Sequence, residues 1–232
     1  MGKFINHANY IPVDVPADST KVAVGSSLRK VYIISDEASV PKSFVVEEGS
    51  NLDVCLLVLP ATSDLDINLD VFIEGERSSA ELSGVFILNS NQKASLKVNM
   101  HHTAPNCNSN QLFNCIATDS ASFDFLGTII VAPDAQNTES YQSNHNILLS
   151  DDASIQTKPQ LEIYADQVKC SHGATTGRLN EEEQFYMRSR GIPENEAKIL
   201  QMISFISPIY SHFPEDEREK LVNQIEDAIR KL

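Results

Sequence analysis

The chain has no tryptophan, and only 7% of its 232 residues are aromatic. That scarcity argues against platforms that stack sugars or bases. Positive charge is also scarce. There are 18 Lys and Arg against 32 Asp and Glu, a net charge of −14. Nucleic-acid binding needs clustered cations, and an anionic membrane surface asks for the same, so neither is expected as a partner. No apolar run approaches the ~18 residues of a membrane span. The opening MGKFINHANYIPVDVP has no apolar stretch of signal length, and Asn6 breaks the myristoylation pattern. Cys55, Cys107, Cys115 and Cys170 are widely spaced and form no CxxC pair. They read as reduced thiols of a cytoplasmic chain. GxSxG, Walker A, HExxH and GxGxxG motifs are all missing, so the chain should not hydrolyse ATP by itself.

What is present is globular, with 41% hydrophobic and 22% charged residues. This length suits one large domain or two small ones and buries roughly 70–75% of the unfolded surface. Residues 1–20 are polar, with Pro12 and Pro16, and read as an extended arm. From 21 to 178 the texture is short strands rich in β-branched residues and Leu. The clearest are Lys30–Ile34, Ser43–Glu47, Leu52–Leu59, Ile67–Ile73, Ala80–Leu88, Ala94–His101, Phe123–Val131 and Gln160–Tyr164. Leu65, Ile67, Leu69, Val71 and Ile73 alternate onto one face. Ala-Ser followed by an apolar residue recurs at Ala38, Ala94, Ala121 and Ala153, a weak repeat that suits stacked coils. A parallel β-helix and a β-sandwich both fit this texture.

The texture changes to helices over 179–232. Asn180 before Glu181, Glu182 and Glu183 reads as an N-cap with acids on the helix dipole. Gly191 ends that helix, and Pro193 is expected at the first position of the next. Ile199, Met202, Ile203, Ile206 and Tyr210 form an apolar stripe, and Leu221, Ile225, Ala228, Ile229 and Leu232 form another. These faces must cover the β region or meet a partner.

Three side-chain sets could carry chemistry. His101 and His102, with Cys107 and Cys115 downstream, are metal-capable, but adjacent residues on a strand face opposite ways. Cys170 and His172 are two residues apart, so a strand would place both on one face. Thiolate and imidazole both ligate iron or zinc, and two ligands need more from elsewhere. Asp151, Asp152, Glu162 and Asp166 could be read as glycosidase acids, although acids are scattered throughout the chain.

Three stretches carry a resemblance: GTIIVAPDAQNTESYQSNHNILLSDDA (127–153), TKPQLEIYADQVKCSHGATTGRL (157–179) and QFYMRSRGI (184–192). Residues 101–192 as a whole resemble the core of the SufB/SufD family of iron–sulfur cluster assembly proteins. The KCSHGATTGRL word is SufD-like, since SufB-type chains tend to place an acid between the Cys and the His. The match thins between about 35 and 100. Family members usually carry a longer N-terminal helical region, so the chain reads as a short form.

The resemblance implies a mainly β fold, a right-handed parallel β-helix followed by a C-terminal helical domain. It also implies a non-catalytic subunit of the SUF system, paired with a SufB-like paralogue and a SufC-type ABC ATPase. Alone, such a β-helix should pair with itself. His172 is the family's position for iron or cluster chemistry at the paralogue interface, with Cys170 as its neighbour. No cofactor would be tightly bound, and iron or a cluster would be transient. The ATPase would dock on the helices, where Phe185, Tyr186, Arg190, Ile199, Ile203 and Ile206 are the candidate contacts. A degenerate interaction module that binds the ATPase without handling metal, and a β-helical carbohydrate enzyme, are the alternatives.

Overall fold

The structure, a computed structural model, describes residues 10–34, 42–61 and 64–232. Its strands form two parallel sheets. The first runs β1 (Thr20–Val22), β3 (Ser43–Val46), β5 (Leu65–Ile73), β7 (Lys93–His102), β9 (Ser122–Val131) and β11 (Ser154–Ile163). The second holds β2 (Ser27–Ile34), β4 (Asn51–Val58), β6 (Ser79–Leu88), β8 (Asn108–Ala117), β10 (Glu139–Leu148) and β12 (Lys169–Gly177), also stacked in chain order. Each turn lays one strand on each sheet, giving a β-solenoid of about five turns. The uniform parallel pairing excludes the β-sandwich, whose sheets are antiparallel.

The repeat is one of position rather than of words. Asn99 Nδ2 donates to Asp70 across 29 residues, and Gln142 Nε2 donates to Gln111 across 31. The Ala-Ser words do not stay in step with this period. Ala94 aligns with Phe123, whereas Ser122 aligns with Lys93 and Ser154. Ala38 lies outside the described residues, as do residues 1–9 of the expected arm. The corners keep better time. Gly25, Gly49, Arg77, Asn106 and Asn137 all have positive φ, and each sits two residues before a strand of the second sheet. Next to them, Ser78 and Thr138 donate to the carbonyls of Gly75 and Ala135. Cys107 occupies the same place, with Sγ 3.1 Å from Gly75 O and 3.6 Å from Ser78 Oγ. It is a corner residue of the coil.

Inside the solenoid, the rows of the first turns are apolar. Leu52, Val54, Leu56 and Val58 of β4 face in, as do Ala80, Leu82, Phe86 and Leu88 of β6. On the other face of the second sheet, Cys55, Leu57, Val85, Ile87, Ile116 and Ile147 are buried beneath helices. Burial on both faces explains why CLLV and VFIL read as continuous apolar runs.

Those helices are α1 (Glu181–Ser189), α2 (Glu194–Ile206), a short 3₁₀ helix (Ser207–His212) and α3 (Arg218–Ile229). Asn180 caps α1, its Oδ1 accepting from the N–H groups of Glu182 at 2.9 Å and Glu183 at 3.2 Å. Gly191 ends the turn after α1 with φ 89. Pro193 sits one residue outside α2. Its backbone is extended and its carbonyl accepts from Ala197 N–H, so it takes the cap position and not the first helical one. Leu221, Ile225, Ala228 and Ile229 are buried. Asn114 Nδ2 donates to Phe205 O at 2.7 Å, and Asp53 binds both Arg29 and His212, so polar contacts pin the helices to the sheet. At the other end, residues 10–19 run back along the first sheet. The ring of Tyr10 meets that of Tyr164 edge-on at 5.2 Å, and Ser19 Oγ lies 2.7 Å from Ser43 Oγ.

His102 points inward and is fully buried, with Nε2 2.8 Å from Ser109 Oγ. Burial holds its pKa down to about 3, from an ordinary 6.5. The unfolded chain therefore takes up a proton below pH 6.5 that the folded chain refuses, and stability falls as pH drops from 6.5 towards 3. His102→Gln, which keeps a polar partner for Ser109 and removes the titration, is expected to flatten this decline. Urea midpoints of both proteins at pH 7.5 and pH 5 check it.

Candidate functional site

Cys170 and His172 lie on β12, the last strand of its sheet. The register aligns Ser140 with Cys170, Gln142 with His172, Asn144 with Ala174 and Asn146 with Thr176. The four β10 residues are buried and face the interior. Cys170 and His172 therefore continue two interior rows past the point where the chain covers them. Cys170 is half-buried and His172 exposed. The strand spacing brings both onto one face, and that face is the open end of the solenoid.

The interior changes character on approaching this end. One row reads Leu52, Ala80, Ser109, Ser140, Cys170, and the next Val54, Leu82, Gln111, Gln142, His172. Apolar side chains give way to hydroxyls and amides, which then give way to a thiol and an imidazole. The polar groups are joined. Ser109 Oγ lies 2.6 Å from Ser140 Oγ, Gln142 Nε2 donates to Gln111 Oε1 at 2.9 Å, and Asn146 Nδ2 donates to Asn144 Oδ1 at 2.7 Å. Gln111, Gln142, Asn144 and Asn146 escaped the reading of the sequence because β8 and β10 lack an apolar alternation. The readable signal was a run of amides at every second position, after a corner asparagine.

The desolvated surroundings of Cys170 raise its thiol pKa, and a hydrogen bond with the Ser140 backbone offsets part of that. The resting edge therefore presents a protonated thiol at neutral pH, and ligation requires the proton to leave. The other cysteines are sealed. Burial pushes Cys55 up to about 12 and raises Cys115 well above the ordinary thiol range, while Cys107 is held in its corner.

The structure separates the other candidates. His101 points outward, stacked on Phe72 with ring centroids 4.5 Å apart, whereas His102 points inward. Cys115 is a core residue. Among the described residues, no group of three or more His, Cys, Asp and Glu side chains could hold a metal ion. Asp151 pairs with Arg178, and Glu162 lies on the outward side of β11. The helical contacts also divide. Phe185 and Tyr186 are 73% and 58% exposed, and Arg190 lies over the Tyr186 ring at 5.3 Å. Ile199 and Ile206 are buried against the sheet and α3, and Ile203 packs beside them. Ile199 and Ile206 hold the helical unit together and offer no free docking surface, contrary to the sequence expectation, whereas Ile203 is half-buried. No described helix is long and apolar enough to cross a membrane.

A family model for the SufBD core domain of the SUF iron–sulfur cluster assembly system matches residues 38–205, well over half of the chain. The chain belongs to the SufBD family. The iron–sulfur cluster assembly protein SufD of Escherichia coli is 38% identical over 142 residues, covering 61% of this chain and 34% of that protein. A SufBD family protein of Synechocystis is 37% identical over 147 residues, covering 63% and 32%. One of Mycobacterium leprae is 30% identical over 172 residues, covering 70% and 44%. The chain thus spans 32% to 44% of the length of these SufBD relatives. The family match runs through the solenoid, across the Cys170–His172 edge and into α2.

Native alkylation tests the exposure of that edge. Iodoacetamide is expected to label Cys170 alone, slowly at pH 7 and faster as pH rises. Mass spectrometry should find Cys55, Cys107 and Cys115 modified only after unfolding. Early labelling of Cys107 would contradict its corner role.

Proposed function

We propose that the chain is a non-catalytic, SufD-like subunit that pairs with a SufB-like paralogue and a SufC-type ABC ATPase to build or deliver clusters or iron. The observation that carries this reading is the placement of Cys170 and His172. A thiol and an imidazole share one face of an open solenoid end, where a second chain can complete a ligand set. His172 offers a neutral ring nitrogen to iron, and Cys170 offers a thiolate once its proton is lost. Two ligands do not hold iron firmly, so the remainder come from the paralogue and the cargo stays transient.

The exposed Phe185 and Tyr186 on α1, with Arg190 just after it, form the ATPase contact. Because α2 and the 3₁₀ helix are packed on the outer face of the second sheet, a push on the helices reaches the sheet directly. ATP binding would draw two ATPase subunits together and shear the paralogue interface, a two-state coupling with the helical unit as its lever. The carbohydrate-enzyme reading has no comparable support, since its acids are paired or point outward.

Two experiments test the reading. Anaerobic reconstitution with iron and sulfide, in the presence of the SufB-like partner, is expected to lose most of its cluster absorbance in Cys170→Ser, His172→Ala. Unchanged absorbance would leave only a structural module. In size-exclusion chromatography with light scattering, Phe185→Glu with Tyr186→Glu is expected to abolish ATPase binding without altering the melting temperature. Deleting the helices would be a poorer test, because it would bare Cys55, Leu57, Val85, Ile87 and Ile116.

A further inference from the structure

We infer that Gln142 is the positioning residue of this edge: its side-chain carbonyl receives a ring N–H of His172, fixing which imidazole nitrogen is left free to face outward. The inference rests on the proposed reading of His172 as a ligand. Gln142 is 1% exposed and lies directly beneath His172 in the β10–β12 register. Its Nε2 is committed to Gln111 Oε1. Its Oε1 is buried and has no hydrogen-bond partner among the described residues. A buried acceptor left unmade costs roughly 1–3 kcal/mol, so its retention calls for a donor. With the amide nitrogen drawn towards β8, the oxygen is left for the other neighbour, β12. Rows on adjacent strands stand about 4.8 Å apart, within reach of an imidazole turned inward.

The opposite wall is built around this amide. Gly127 on β9 faces it, and a Cβ there would lie 2.3 Å from Gln142 Nε2 and 2.5 Å from Oε1. The bare backbone leaves the amide its seat, and any side chain would push it out. Two and three strands further down, the same row is filled by Leu82 and Val54. The row thus turns from apolar to amide just before it ends in His172. A histidine that ligates metal commonly donates its other N–H to a carbonyl, which fixes its tautomer and raises its basicity as a ligand.

The test uses the full chain with ¹⁵N-labelled histidine, and Co(II) as the metal probe. In the wild type, the two ring nitrogens of His172 are expected to give well-separated signals, one protonated and one bare. Gln142→Met keeps the volume and loses the acceptor. It should bring the two signals together and weaken Co(II) binding about tenfold. Gln142→Glu retains an acceptor and should preserve the wild-type pattern, whereas Gly127→Ala, which displaces the amide, should copy Gln142→Met. Identical signals in all four proteins would overturn the inference. If Gln142→Met does not fold, the contrast between Gln142→Glu and Gly127→Ala decides. Co(II) bound equally by wild type and by Cys170→Ser, His172→Ala would sink the ligand reading alone, since the tautomer comparison is read without metal.

Discussion

Parallel pairing in strict register is the constraint from which the rest of the molecule follows. Once β4 is aligned with β6, and β6 with β8, each side chain is stacked on the equivalent side chain of the next turn. Rows rather than residues then become the unit of packing, because each row must be compatible along its whole length. An apolar row stays apolar until a polar pair can satisfy itself, as Ser109 and Ser140 do. The open end inherits whatever its row has become. The thiol and imidazole of the Cys170–His172 edge thus end rows whose character is set several strands away.

The same stacking separates two jobs in the second sheet. Its inner face fills the coil, while part of its outer face seats α2 and the 3₁₀ helix, with α3 joined to the same apolar cluster. A strand with two buried faces cannot slide without disturbing both cores. The helices are therefore fixed to the coil by packing as well as by the contacts of Asn114 and Asp53. Rigid attachment is what a subunit needs if force applied at one surface is to be felt at another.

Much of this was legible in the sequence. Alternation in Leu65–Ile73 marked a half-buried strand, and the Asn180 cap and Gly191 stop bounded α1. The spacing of Cys170 and His172 alone puts both on one face of a strand. The strands that escaped, β8 and β10, bury Ser, Gln and Asn where alternation rules look for Val and Ile. Periodicity measures hydrophobicity, and these rows satisfy burial by hydrogen bonding instead. The corner column was hidden for a different reason. Gly25, Gly49, Arg77, Asn106 and Asn137 share a backbone conformation but not a residue type, and only the structure shows their common φ. Ile199 and Ile206 were misjudged because an apolar stripe looks the same whether it faces its own core or a partner.

The segment before β1 adds a consequence of its own. Tyr10 is held at Tyr164, after the last strand of its sheet, while Thr20 opens the first. With the turn that Ser19 closes on Pro16, the segment from Tyr10 to Thr20 reaches about 30 Å. The five strand-to-strand steps between β1 and β11 take about 24 Å. One more turn would still fit under the tie, and two would outrun it. The segment is in effect a ruler laid along the coil. A solenoid has no inherent reason to stop at a given length, and here the chain carries a covalent limit on its own growth.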